Sequence, residues 1–197
     1  MSHYFIEDDS LGHDIKEIVY YFGGHEFKFT TDAGVFSKGH IDPATDILLR
    51  AIPPLYGSLL DMGCGYGCIG IVLAKIYSLT LTATDVNGYA VELAKANCAQ
   101  NGVSADVVKS DCFENVAGTF DTIVINPPIH AGKAVTYRMY EESRGHLADG
   151  GRLYVVTLKQ HGAQSTRAKL AEIFGGCETI YKKKEYYVFC CARGVMP

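Results

Sequence analysis

Two short segments of this 197-residue chain carry residue types whose spacing suits a group transfer: Asn126-Pro127-Pro128-Ile129 and Asp61-Met62-Gly63-Cys64-Gly65-Tyr66-Gly67. An exocyclic amine on a planar ring is a poor nucleophile, because its lone pair is delocalised into the ring. It becomes competent when acceptors hold both N–H groups and leave the lone pair aimed at a methyl carbon. The side-chain carbonyl of Asn126 can be one acceptor and the backbone carbonyl of Pro127 the other. Asparagine accepts a hydrogen bond without bringing a full charge. Proline fixes φ and keeps the residue before it extended, so both acceptors would be rigidly placed. Catalysis of this kind is mainly positioning and preorganised dipoles, with a cofactor supplying the reactive group. The plain alternative is that Asn-Pro-Pro only terminates a strand.

The glycine-rich segment follows an apolar strand pattern and opens a helical one. Glycines let the backbone turn sharply and let a ligand approach without meeting a Cβ. The helix start beyond offers free N–H groups and a partial positive charge. Gly65, Gly67 and Gly70 also satisfy the G-x-G-x-x-G dinucleotide spacing, and Asp85 ends the next strand where a ribose-binding acid belongs. An acid at that place serves NAD and S-adenosylmethionine equally well, so the loop implies a nucleoside cofactor of either kind. Asn126-Pro127-Pro128 discriminates, since a dehydrogenase has no obvious use for two prolines there.

The elements that must position these loops follow from periodicity and turn residues. Ser58–Met62 reads as a short buried strand, Cys68–Tyr77 as an apolar helix and Leu79–Asp85 as a second strand. Gly88–Asn101 has helical spacing, with Gly102 at the C-cap position. Ala105–Lys109 is a short strand, and Asp121–Asn126 a stronger one that stops at Pro127. A helix over Ala134–Leu147 is predicted to end before an Asp149-Gly150-Gly151 turn, followed by a strand at Arg152–Leu158 and a helix at about Gln164–Phe174. Glu178–Tyr181 and Tyr186–Ala192 flank Lys182, Lys183 and Lys184 as an antiparallel hairpin. Earlier, Glu26–Thr30 suits a strand, and Asp42 can N-cap a helix to about Ile52 that Pro53-Pro54 ends. The first 25 residues carry little signal.

Strand-helix alternation predicts an α/β fold: a mostly parallel sheet with helices on both faces and a closing antiparallel hairpin. The expected organisation is a single domain over residues 1–197, with a lead-in at 1–56 and a cofactor-binding core at 57–197. In such a sheet ligands bind outside the carboxyl ends of the strands, so the two loops should face one crevice. With 48% hydrophobic and 20% charged residues the composition is that of an ordinary soluble protein. No secretory signal or bilayer-spanning run is visible, so a cytoplasmic protein is expected, with no membrane partner. The seven cysteines lack zinc-like spacing, which suggests reduced, mostly buried thiols and no metal. A net charge of −4 argues against broad, non-specific nucleic-acid binding. The lysine run at 182–184 suits a local cationic face or a solvated turn.

The segments Gly34-Val35-Phe36-Ser37, Leu60 to Gly67, Asp85-Val86-Asn87 and Asn126 to Gly132 resemble the small-ribosomal-subunit guanine-N2 methyltransferases and their stand-alone, single-domain relatives. The resemblance runs from about residue 26 to the end. It implies a Rossmann-like class I methyltransferase with a seven-stranded sheet, S-adenosyl-L-methionine as cofactor and ribosomal RNA or a ribosomal subunit as partner. By that match Asp61, Gly63, Cys64, Gly65, Tyr66 and Gly67 would surround the methionine part, and Asp85 and Val86 the ribose. Asp111 would contact the adenine amine, with Cys112 beside it. Asn126, Pro127, Pro128 and Ile129 would orient the target amine. Phe36, Ser37 and His130 would lie at the substrate, or serve loop packing and a local turn instead. Two departures stand out. Ile129 replaces an often aromatic residue that would stack on the base, and no counterpart is expected of the extra N-terminal domain that helps the two-domain enzymes bind RNA. Alternatives are another planar nitrogen (a protein glutamine amide or an adenine amine) and a non-catalytic cofactor-binding assembly factor.

Overall fold

The computed structural model describes residues 14–32, 39–128 and 131–194. In chain order these form β1 (Lys16–Phe22), β2 (His25–Thr31), α1 (Pro43–Ala51), β3 (Ser58–Met62), α2 (Cys68–Tyr77), β4 (Thr80–Asp85), α3 (Gly88–Gln100) and β5 (Ala105–Lys109). Then follow β6 (Phe120–Ile125), α4 (Gly132–Gly145), β7 (Leu147–Leu158), α5 (Ala163–Phe174), β8 (Glu178–Lys183) and β9 (Tyr186–Ala192). Seven strands make one sheet in the order β5-β4-β3-β6-β7-β9-β8. Strands β5, β4, β3, β6 and β7 pair in parallel, and the β8–β9 hairpin adds two antiparallel strands at one edge. Among the described residues no helix is long and apolar enough to cross a membrane.

The period-two alternation of side chains sorts the core onto two faces. Leu59, Val124, Tyr154 and Val156 face α1, α2 and α3. Their neighbours Leu60, Ile123, Ile125, Leu153 and Val155 face α4 and α5. Central strands covered on both sides must be apolar throughout. Ile123, Val124 and Ile125 are fully buried accordingly. The α/β expectation, with helices on both faces and a closing hairpin, therefore holds.

Helix α1 begins as its residues dictate. The side chain of Asp42 accepts from the Thr45 N–H at 3.0 Å, Pro43 occupies the first turn, and the helix ends before Pro53.

Two differences from the sequence reading have local causes. Residues 16–22 form β1, paired with β2 through a two-residue turn in which Gly23 and Gly24 have φ of +56° and +80°. Two left-handed residues in succession suit a tight hairpin, and glycine adopts them freely. The resulting two-stranded sheet docks on α3 through Asn97 and Asn101. These amides bond the N–H and C=O of Thr30 and Lys28 at 2.8–3.0 Å, much as a neighbouring strand would.

The expected Asp149-Gly150-Gly151 turn is instead part of a continuous β7. The β6–β7 register shifts between Phe120 and Thr122. The loop is tied to the end of β9 by Gly150 N–H to Arg193 O at 3.1 Å and Arg193 N–H to Gly151 O at 2.9 Å. A Cβ on Gly151 would stand 2.9 Å from the carbonyl oxygens of Phe120 and Ala148, so only glycine allows this close approach.

Candidate active site

Register brings the two loops together. Met62 is paired with Thr84 on one side and Ile125 on the other, so Gly63, Asp85 and Asn126 leave the sheet side by side. Neighbouring strands lie about 4.8 Å apart, which sets the scale of the crevice. The chain changes direction between β3 and β6, the switch point where open α/β sheets bind ligands.

On the glycine side, the N–H groups of Gly63 and Cys64 both donate to Thr84 O at 2.8 Å. Gly63, Gly65 and Gly67 have φ of +71°, +56° and +90°, a region that side-chain-bearing residues enter only under strain. A Cβ on Gly65 would meet nothing within 4 Å among the described residues. Gly65 N–H donates to one oxygen of Asp85 and Asn87 N–H to the other, each at 2.9 Å. Burial raises the Asp85 carboxyl above its ordinary value despite these bonds. Val86, next along, is a large apolar residue left 40% exposed at the same rim.

Asp61 is 1% exposed, and one of its oxygens accepts from Gly70 N–H at 2.8 Å. Its other oxygen is buried without a hydrogen-bond partner among the described residues. Burial is the main reason its carboxyl moves from 3.8 to about 7; the Gly70 bond opposes the shift, and nearby Asp85 adds to it. A buried acceptor lacking a donor fits a cationic ligand group such as an ammonium. Between pH 4 and 7 the folded carboxyl keeps a proton that the unfolded chain has released. The ligand-free protein is therefore expected to lose stability as pH rises through that window. Asp61→Asn should flatten the slope in calorimetric scans, and an unchanged slope would count against the shift.

Other sequence-selected residues are placed less directly. The Tyr66 side chain turns inward, 4% exposed, and meets Phe29 edge-on at 5.7 Å; the Tyr66 backbone carbonyl accepts from Asn97 at 2.9 Å. Cys64 is half-buried, with Sγ 3.6 Å from Gly65 O, and burial pushes its thiol up. Asp111, half-exposed beyond β5, is ion-paired with Arg138 of α4. The same guanidinium reaches Cys112 Sγ at 3.1 and 3.2 Å. Cys112 has a φ of +49°, and Ser110 Oγ donates to its carbonyl at 2.8 Å. Arg138 escaped sequence reasoning, because nothing local links α4 to the end of β5.

At the end of β6, Asn126 Nδ2 donates to Asp42 Oδ2 at 3.0 Å and to Thr45 Oγ1 at 3.2 Å. Both N–H groups of the amide are thereby spent on α1, and Oδ1 is left available among the described residues. The Pro128 carbonyl accepts from Ala131 N–H at 3.1 Å. Pro127 is buried as a residue, and its carbonyl accepts no hydrogen bond among the described residues. A groove beside Pro127 is lined by residues including Lys133, Tyr137, Tyr140, Thr157 and His161, which sequence reasoning did not select. Phe36, Ser37, Ile129 and His130 lie outside the described residues. Among the described residues no cluster of His, Cys, Asp or Glu could hold a metal ion.

The strand order, the glycine loop and the Asn-Pro-Pro strand end define a Rossmann-like class I methyltransferase fold, a class whose cofactor is S-adenosylmethionine. The chain belongs to the methyltransferase small domain family, whose model matches residues 26–190. It is 40% identical over 192 residues to the uncharacterized protein YbxB of Bacillus subtilis (strain 168), covering 94% of this chain and 96% of that one. It is also 40% identical over 129 residues to ribosomal RNA small subunit methyltransferase C of Pasteurella multocida (strain Pm70), covering 62% of this chain and 39% of the relative. Among solved structures, the T. thermophilus 16S rRNA N2 methyltransferase in complex with AdoMet and guanosine matches with a TM-score of 0.81 and 27% identity, over 91% of this chain and 50% of that one. The chain thus spans half or less of these two ribosomal RNA methyltransferases.

Proposed function

We propose that the chain works as one S-adenosylmethionine-dependent N-methyltransferase domain whose acceptor is the exocyclic amine of guanine in small-subunit ribosomal RNA. The observation that carries this reading is the Asn126 amide, with both N–H groups held by Asp42 and Thr45 and its carbonyl, like that of Pro127, accepting no hydrogen bond among the described residues. When bound, S-adenosylmethionine supplies a methyl group on a cationic sulfur. Asp61 would take the ammonium of that cofactor, Asp85 the ribose hydroxyls, and the second oxygen of Asp111 the adenine amine. Asn126 Oδ1 and the Pro127 carbonyl would each accept one N–H of the target, fixing its lone pair. Neither amide oxygen is basic enough to keep a proton, so the surplus proton passes to solvent after transfer. The groove beside Pro127 would admit the planar ring, and the cytoplasm is the expected place of action.

The cationic residues favour an RNA acceptor. Leu158 pairs with Tyr186, and Lys159 N–H donates to Glu185 O at 2.6 Å. The β8–β9 turn therefore lies at the carboxyl end of β7, the same end of the sheet as Asn126. Lys133, Lys159, Lys182, Lys183 and Lys184 are all exposed, and Lys182 Nζ rides 5.4 Å above the Tyr187 ring. Lysines on an edge strand also discourage sheet-to-sheet aggregation. Charge reversal preserves that protection while repelling phosphate. The combined variant Lys159→Glu, Lys183→Glu, Lys184→Glu is expected to raise the RNA KM about tenfold or more at low salt. Its affinity for S-adenosylmethionine should match the parent's, and an unchanged RNA KM would remove this rim from the account.

The direct test of the acceptor is transfer of labelled methyl from S-adenosylmethionine to separate pools of ribosomal RNA, small subunits, DNA and protein. Label recovered in RNA nucleosides is expected. Label recovered only in glutamine would replace RNA with protein as the acceptor.

A further inference from the structure

An asparagine amide fits its slot nearly as well turned by half a rotation, so its neighbours decide which end faces the substrate. At Asn126 that decision is made by residues 84 and 81 positions earlier in the chain. We propose that Asp42 is a positioning residue for methyl transfer: besides capping α1, it holds the Asn126 amide with its carbonyl toward the crevice. This inference rests on the reading of Asn126 given above.

Asp42 Oδ2 is the convergence point of three donors. Thr45 N–H reaches it at 3.0 Å, the Thr45 hydroxyl at 3.4 Å and Asn126 Nδ2 at 3.0 Å. A carboxylate can only accept, so the amide must present its nitrogen to α1. A reversed amide would set its oxygen against a carboxylate oxygen, where both atoms repel. The Thr45 hydroxyl gives its proton to Asp42 and so has a lone pair free for the second Asn126 N–H, at 3.2 Å. Thr45 is 5% exposed, so water is a poor substitute for these partners. A charge-assisted bond to the amide nitrogen also draws electron density onto Oδ1, which makes it a better acceptor for a target N–H. Cap and anchor are one group, so the helix start that orders α1 also orders the acceptor.

The two roles separate by chain length. Serine caps helices well but is too short to reach Asn126, whereas asparagine keeps both the cap and an acceptor oxygen. Asp42→Ser is expected to lower kcat about 10- to 100-fold, the scale of a slightly misplaced group, with KM and S-adenosylmethionine affinity close to the parent's. Asp42→Asn should restore most of the rate. In NMR spectra the Asn126 side-chain amide, identified by its disappearance in Asn126→Ala, should move in Asp42→Ser whatever the acceptor is. A parent-like kcat in Asp42→Ser while Asn126→Ala is strongly impaired would overturn the anchor alone, as would an unmoved amide resonance. Undiminished transfer by Asn126→Ala would overturn the reading of Asn126 and the anchor with it.

Discussion

Asn126→Ala is expected to lower methyl transfer by about 10²- to 10³-fold, the cost of removing one preorganised polar group from a transition state. Affinity for S-adenosylmethionine should remain near the parent's. Its carbonyl, on the proposed reading, meets only the acceptor, while the cofactor is held from the β3 and β4 side. The remaining acceptor, Pro127, is a backbone carbonyl and cannot be removed by substitution, so some positioning should survive. Asn126→Asp sharpens the test. It keeps an acceptor of the same length but sets a second carboxylate against Asp42, and two such groups cannot both ionise cheaply. Single-turnover rates with saturating cofactor would read both variants. Parent-like rates in Asn126→Ala would remove the amide from the mechanism.

Asp85→Ala is expected to weaken S-adenosylmethionine binding about 10- to 100-fold, the range for losing hydrogen bonds to a charged group. On the proposed reading two losses combine. The ribose hydroxyls would lose their acceptor, and Gly65 N–H and Asn87 N–H lose the oxygens that hold the loop at 2.9 Å each. Titration calorimetry gives the affinity, and a thermal midpoint measured without ligand separates loop disorder from general unfolding. An unchanged Kd would place the ribose elsewhere.

What could be read in the chain beforehand was what neighbours in sequence decide. The buried run at Ile123 to Ile125, the strand-glycine-helix order around Gly65 and the Asp42 cap followed by Pro43 are local patterns with local causes. All three appear within a residue or two of the expected bounds. The Gly23-Gly24 turn was equally local, and its two flanking apolar segments were a usable hairpin signal. Asp149-Gly150-Gly151 suits a turn by residue type, yet the chain runs through it as a continuous β7. Only the Arg193 backbone and the crowded Phe120 carbonyl make those glycines part of a strand.

The site was legible in its loops and not in their supports. Asn126, Asp61 and Asp85 could be chosen by residue type and place along a strand-helix alternation. Asp42 beneath Asn126 and Arg138 against Asp111 could not, because partner choice across the fold follows from packing rather than from spacing. The same holds for Asn97 and Asn101. Asn97 on α3 and Asn101 at its C-cap carry no local sign of a partner, yet their amides pair with the backbone of β2.

On the proposed reading the crevice between Gly63 and Asn126 methylates guanine N2 in small-subunit RNA. Small subunits or their RNA, lacking the modification, would be incubated with the protein and S-adenosylmethionine. The RNA would then be digested to nucleosides and resolved by mass spectrometry. Appearance of N2-methylguanosine with the parent protein, and its formation about 10²- to 10³-fold more slowly with Asn126→Ala, is the expected result. Methyl groups found only on adenosine, or no RNA methylation by a protein that binds the cofactor, would contradict the claim.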